Sequence, residues 1–111
     1  MELRVIEDPD VSLIALSGRL DVGGVGSHEA RFLALTAARR KPAIIDVSEV
    51  SFIGSLGIGM LVGAAKALAR HGAKLVLLAP QPEVERTLAA ANVNQVIPIA
   101  RDLDAARGLL L

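Results

Sequence analysis

The chain opens with two short apolar runs, Leu3 to Ile6 and Val11 to Ser17, separated by the polar Asp8-Pro9-Asp10. Runs of this length read as strands, and Pro flanked by Asp suits a tight turn, so the pair is expected to form a hairpin. Gly18 to Gly26 is polar and glycine-rich, which reads as a loop carrying Asp21. Ser27 is then expected to cap a helix whose inner face takes Ala30, Leu33, Ala34, Ala37 and Ala38 at helical spacing. Arg39-Arg40-Lys41 would place cations at that helix's C-terminus, where they offset the negative end of the dipole, and Pro42 would stop it.

Beyond Pro42 the pattern alternates. Ala43 to Val47 reads as a buried strand that runs into a short polar loop, turns through Gly54, and enters a helix over Ser55 to Arg70. Leu61, Ala64, Ala65 and Leu68 form the helix's buried stripe, and His71-Gly72 ends it, glycine being free to adopt the left-handed cap conformation. Lys74 to Ala79 is the next strand. Pro80, Pro82 and Glu83 announce a helix with Val84, Leu88 and Ala91 inward, followed by a short last strand, Val96 to Ile99. Asp102 caps a final helix carrying Leu103, Ala106 and Leu110 on one side.

Strands alternating with helices require right-handed crossovers and a parallel core sheet, while the leading hairpin adds an antiparallel strand. The expected fold is therefore α/β: a single domain over residues 1–111, with a mixed, mostly parallel sheet, an N-terminal antiparallel hairpin and about four helices. The unbroken apolar run Leu75-Val76-Leu77-Leu78 argues for burial from both faces of the sheet. No internal repeat, linker or low-complexity segment interrupts the 111 residues.

Composition narrows the function. Lys plus Arg and Asp plus Glu both number 12, so no net field draws nucleic acid, and Phe32 and Phe52 alone give no stacking platform for bases. Without cysteine there is no disulfide framework or thiolate metal site, and His28 and His71 each lack a second ligand at metal-binding spacing. Met1-Glu2-Leu3-Arg4 lacks the features of a signal peptide, and the apolar run Ile58 to Ala65 is too short and glycine-broken to span a membrane. A cytoplasmic protein with no cofactor, no direct nucleic-acid contact and no membrane insertion is the expectation.

The most informative chemistry lies around Ser55. A serine at a helix N-terminus can cap the helix, or it can offer a site for phosphate, which the orphan N–H groups and the dipole both favour. A hydrolase elbow needs G-x-S-x-G, but residue 53 is Ile, and Gly57, Gly59 and Gly63 form no dinucleotide fingerprint. Gly57 and Gly59 are read as baring the backbone around Ser55, and Gly63 as allowing close packing on the sheet. Asp21, at the end of the second strand, should lie at the same sheet end as Ser55; bonding to its own backbone is the competing role. Asp46 is expected to cap the loop after its strand.

The order of strand, D-x-S-x-V-x-F-I from Asp46 to Ile53, and Gly54-Ser55-Leu56-Gly57-Ile58-Gly59 resembles the STAS domain, the anti-sigma factor antagonist family. Gly18-Arg19-Leu20-Asp21 is similar to that family's G-x-L-D signature, and Gly72-Ala73-Lys74-Leu75 to its strand entry. The resemblance implies helices mainly on one side of the sheet and a binding protein rather than an enzyme. It implies that Ser55 is a phosphoacceptor bordered by Asp21, within a contact surface of Gly54, Ser55, Leu56 and Gly57 with Met60 beside it. The implied partner is an anti-sigma factor of the serine-kinase type, bound when Ser55 is unmodified and released when the kinase phosphorylates it; ATP is then the kinase's cofactor. Gly54 stands where the family usually carries Asp, and Leu56 where a small hydroxyl residue is frequent. The alternative is a STAS subunit that is never phosphorylated and serves as a structural partner in a transporter or signalling assembly.

Overall fold

The computed structural model describes residues 1–111. In chain order the elements are β1 (Glu2–Ile6), β2 (Ser12–Leu20), α1 (Val22–Leu35), β3 (Ala43–Ile53), α2 (Ser55–Ala69), β4 (Leu75–Leu78), α3 (Pro82–Ala90), β5 (Ile99–Ala100) and α4 (Leu103–Leu109). The strands lie in the order β1-β2-β3-β4-β5, with β1 antiparallel to β2 and every other pair parallel. The α/β class, the single domain with its leading hairpin, and the four helices agree with the sequence reading.

Strand side chains alternate between faces, and the register sorts them. Leu13, Ile44 and Val76 sit side by side across β2, β3 and β4 and join Val11, Ala100 and Ala106 in a small cluster beneath α4. Their neighbours Ile14, Ile45 and Leu77 point the other way, into a larger core with Val25 and Phe32 of α1, Met60, Leu61, Ala64 and Leu68 of α2, and Val84 and Leu88 of α3. Both faces are thus covered, but unequally: three helices on one, a single short helix on the other. That reconciles the continuous apolar β4 with helices mainly on one side.

Several boundaries differ from the sequence reading. The stretch from Gly18 is not a loop; β2 continues to Leu20 and α1 begins at Val22, so Ser27 lies inside the helix and caps nothing. The inner face of α1 is Val25 and Phe32, followed by Thr36, whose hydroxyl donates to the Phe32 carbonyl oxygen at 2.8 Å. Ala30, Ala34 and Ala38 are exposed. Burying Phe and Val removes far more apolar surface than burying Ala, so the large side chains set the rotation of the helix. α1 also ends earlier, at Leu35, and a 3-10 turn over Ala37–Arg39 closes on Arg40 in the left-handed region, before Pro42 is reached.

β3 does not stop at Val47 but runs eleven residues to Ile53. Its polar middle stays in the ladder because β2 pairs along it with two register shifts, Ala15 opposite Asp46 but Ser17 opposite Glu49, then Gly18 opposite Val50 but Arg19 opposite Phe52. Each shift adds a residue to β3, as in a β-bulge. Asp46 therefore acts within the strand: its Oδ1 accepts the Ser48 N–H at 2.9 Å. At the far end the last strand is Ile99–Ala100; Val93–Gln95 forms a 3-10 turn and leaves Val96 exposed. Ala91, expected inward, is an exposed helix end. Asp102 caps α4 as expected, its Oδ1 accepting the Ala105 N–H at 2.8 Å, but of that helix only Ala106 is buried.

Candidate functional site

The parallel pair β2–β3 ends on the registered residues Leu20 and Ile53, and each strand passes into a helix through one residue. Those residues are Asp21 and Gly54, so the N-termini of α1 and α2 open side by side at one end of the sheet. The Gly54 N–H donates to the Leu20 carbonyl oxygen at 3.0 Å and ties the two connections together. Asp21 and Ser55 are brought to the same sheet end, as the sequence order required.

The two helix starts differ chemically. Asp21 is the N-cap of α1, its Oδ1 accepting the Gly24 N–H at 3.0 Å. That hydrogen bond, more than the neighbouring Arg19, holds its carboxyl below the usual carboxylate range. Gly54 is the N-cap of α2 and has no side chain to offer, so the first turn of α2 is uncapped. Ser55 is the first helical residue and is exposed; it makes no capping hydrogen bond. The expectation of a capping serine is corrected: a cap needs the extended backbone of the preceding position, which Gly54 holds at φ −102° and ψ −176°.

The glycines also exchange roles. Gly57 is buried, and a Cβ there would lie 2.9 Å from the Leu20 carbonyl oxygen, the Leu20 Cβ and the Ile53 Cγ1. It lets α2 press onto the ends of β2 and β3; it does not bare backbone to a partner. Gly59 and Gly63 have open space where a Cβ would be, so Gly63 is not a packing glycine. Met60 is 1% exposed and belongs to the core. Five residues after Ser55 the helix has turned about 140° away, which takes Met60 off any surface shared with Ser55.

What surrounds Ser55 instead is a shallow hollow of about 280 Å³ lined by Arg19, Asp21, Val22, Phe52, Gly54, Ser55 and Leu56. Val22 is 74%, Leu56 50% and Phe52 39% exposed, so three of the seven large apolar side chains exposed on the molecule meet at this hollow. The Arg19 guanidinium lies over the Phe52 ring, 4.2 Å from its centroid, and its Nε is 3.4 Å from Asp21 Oδ2. Arg19, Val22 and Phe52 were not assigned to the site from the sequence; Arg19 and Phe52 stand within the quoted motifs but become neighbours only through the bulged β2–β3 register. A larger hollow, about 420 Å³, lies on the open half of the sheet beside Arg4, Ser17, Asp46 and Glu49. It gathers charges of both signs and lies apart from the paired helix starts. No helix is long and apolar enough to cross a membrane.

A family model described as the STAS domain matches residues 2–106. A protein of Mycobacterium tuberculosis described as a candidate anti-anti-sigma factor is 28% identical over 110 residues, covering 96% of this chain and 74% of that one. Among solved structures, an anti-sigma factor antagonist from Mycobacterium paratuberculosis superimposes with a TM-score of 0.86 at 24% identity, over 98% of this chain and 92% of that one. The anti-sigma factor antagonist SpoIIAA of Bacillus, in its unphosphorylated form, gives 0.78 at 20% identity over 97% and 96% of the two chains. The murine anion transporter Slc26a9 contains the same fold, at a TM-score of 0.78 and 18% identity, over 96% of this chain but 18% of the transporter.

Proposed function

The chain belongs to the STAS domain family, and on that premise we propose that it is an anti-sigma factor antagonist that works in the cytoplasm by binding, not by catalysis. The observation that carries this reading is the exposed, uncapped start of α2. There Ser55 presents a free hydroxyl amid the bare apolar surfaces of Val22, Phe52 and Leu56. Such a surface suits a protein partner: apolar area supplies the attraction, and the serine at its centre is a place where one modification can abolish it. The partner is an anti-sigma factor, consistent with the description of the mycobacterial relative, and the acceptor role proposed for Ser55 asks that it be of the serine-kinase type.

Phosphorylation of Ser55 then ends the interaction. A phosphate adds about −1.5 to −2 charges at neutral pH, tolerated at an open helix N-terminus but costly within a drying apolar contact. The surface consists of Asp21, Gly54, Ser55 and Leu56 from the sequence reading, joined by Arg19, Val22 and Phe52; Gly57 supports it from below. The test is affinity capture from the native cell with mass spectrometry of both the captured proteins and Ser55. Recovery of an anti-sigma kinase, with the Ser55 phosphoprotein failing to capture it, is the expected result.

A second reading, a structural STAS subunit that is never phosphorylated, is favoured by Gly54 and Leu56, which leave no carboxylate or second hydroxyl at the chain positions flanking Ser55, and by the presence of the fold within a transporter. A kinase that binds the protein yet leaves Ser55 bare selects it.

A further inference from the structure

We propose that Arg19 is the cation that receives the phosphate once Ser55 is phosphorylated, exchanging Asp21 for the phosphoserine and keeping its place over Phe52. This rests on the reading of Ser55 as a phosphoacceptor and adds the residue that answers the modification.

The modification itself is a simple group transfer. Ser55 Oγ forms a bond to the γ-phosphorus of ATP, the bond from that phosphorus to the β,γ-bridging oxygen breaks, ADP leaves, and the serine proton passes to a base on the kinase. The product is a near-dianion at the first residue of α2.

The surroundings of that dianion are unequal. Asp21 is already engaged with α1 through the Gly24 N–H and repels the phosphate. No carboxylate caps α2, because residue 54 is Gly, and the first turns of α1 and α2 contain no acidic side chain. Glu83 of α3 lies across Phe52 and is paired with Arg86. Arg19 alone among the cations lines the hollow with Ser55. Strand register fixes its base, since Arg19 sits opposite Phe52, three residues before Ser55. Its guanidinium is steered by the Phe52 ring at 4.2 Å, while its hold on Asp21 is a single long contact of 3.4 Å from Nε. Asp21 thus occupies one of the five guanidinium N–H donors, and the planar fork that suits phosphate remains open. A phosphate offers more charge and more acceptor oxygens than the carboxylate it displaces.

Genetically encoded phosphoserine at position 55 separates this proposal from the kinase reading, because no kinase is needed. The second phosphate ionisation, followed by ³¹P NMR, is expected to occur at lower pH in the wild-type background than in Arg19→Gln. The difference should be about threefold in proton affinity, the size of an exposed ion-pair coupling. Arg19→Lys should recover part of it, and concentrated salt should shrink it. In the wild-type fold, with no substitution beyond the phosphate, the Arg19 Nε–Hε resonance should move on phosphorylation. An identical phosphate titration in wild type and Arg19→Gln, or an unmoved Arg19 resonance, overturns the proposal. A kinase that leaves Ser55 bare while the encoded phosphoprotein shows the exchange overturns only the kinase reading.

Discussion

Gly57 lies against Leu20 so closely that one added methyl would come within 2.9 Å of the Leu20 carbonyl oxygen. That contact seats the first turn of α2 on the end of β2, beside the connection that carries Asp21. The same carbonyl accepts the Gly54 N–H, so backbone on both sides of Ser55 is fixed to one residue of the neighbouring strand.

Gly57→Ala is therefore expected to destabilise the protein. Overpacking costs about 1–3 kcal/mol and exceeds the ~1 kcal/mol that Ala gains over Gly in a helix. Gly63→Ala, with open space around its Cβ, should gain up to about 1 kcal/mol. Urea unfolding of the two variants checks the pair, and equal effects would remove the packing role assigned to Gly57.

Ser55 separates charge from stability. Since its hydroxyl caps nothing, Ser55→Ala should lie within about 0.5 kcal/mol of wild type. Ser55→Asp should gain about 0.3–1 kcal/mol from the helix dipole. Partner affinity should run in the opposite order, with Ala retaining binding and Asp losing it. Calorimetric melting and a binding assay read both orders; two variants that bind equally well would leave Ser55 outside the interface.

Gly54→Asp should supply the N-cap that α2 lacks. The backbone there is extended with negative φ, so a side chain meets no strain, and its nearest neighbour is the Phe52 ring edge at 3.4 Å. Asp for Gly at an N-cap is worth a few tenths of a kcal/mol, and a raised Tm is the expected outcome. Under the proposed phosphorylation switch, the same variant also restores the carboxylate usual in the family and should increase phosphorylation of Ser55.

The Asp8–Arg107 ion pair ties α4 to the β1–β2 turn across almost the whole chain. Arg107 is the main reason the Asp8 carboxyl falls from 3.8 to about 2, helped by the Asp10 and Val11 N–H groups. A depressed folded-state value means that the stabilisation is complete above pH 3.8 and is lost as pH falls toward 2. Melting temperature should therefore drop more steeply over that window in wild type than in Asp8→Asn.

The resemblance to the STAS family, not the periodicity, singled out Ser55 as the candidate centre, while the sequence pattern by itself determined the α/β class, the hairpin followed by parallel strands and the buried stripe of α2. These follow from period and order, which are local properties. The start of α1 was hidden because Gly23, Gly24 and Gly26 within its first five residues look like a loop; Asp21 commits them to a helix by bonding the Gly24 N–H. The second half of β3 was equally illegible, since its polar residues stay in a strand only because β2 pairs beside them. Tertiary structure alone decided which side of each glycine is crowded, turned Met60 into the core, and brought Arg19 over Phe52. Such relations depend on register and helix rotation, which are set by the largest side chains and the bulges of the whole sheet, and no single segment encodes them.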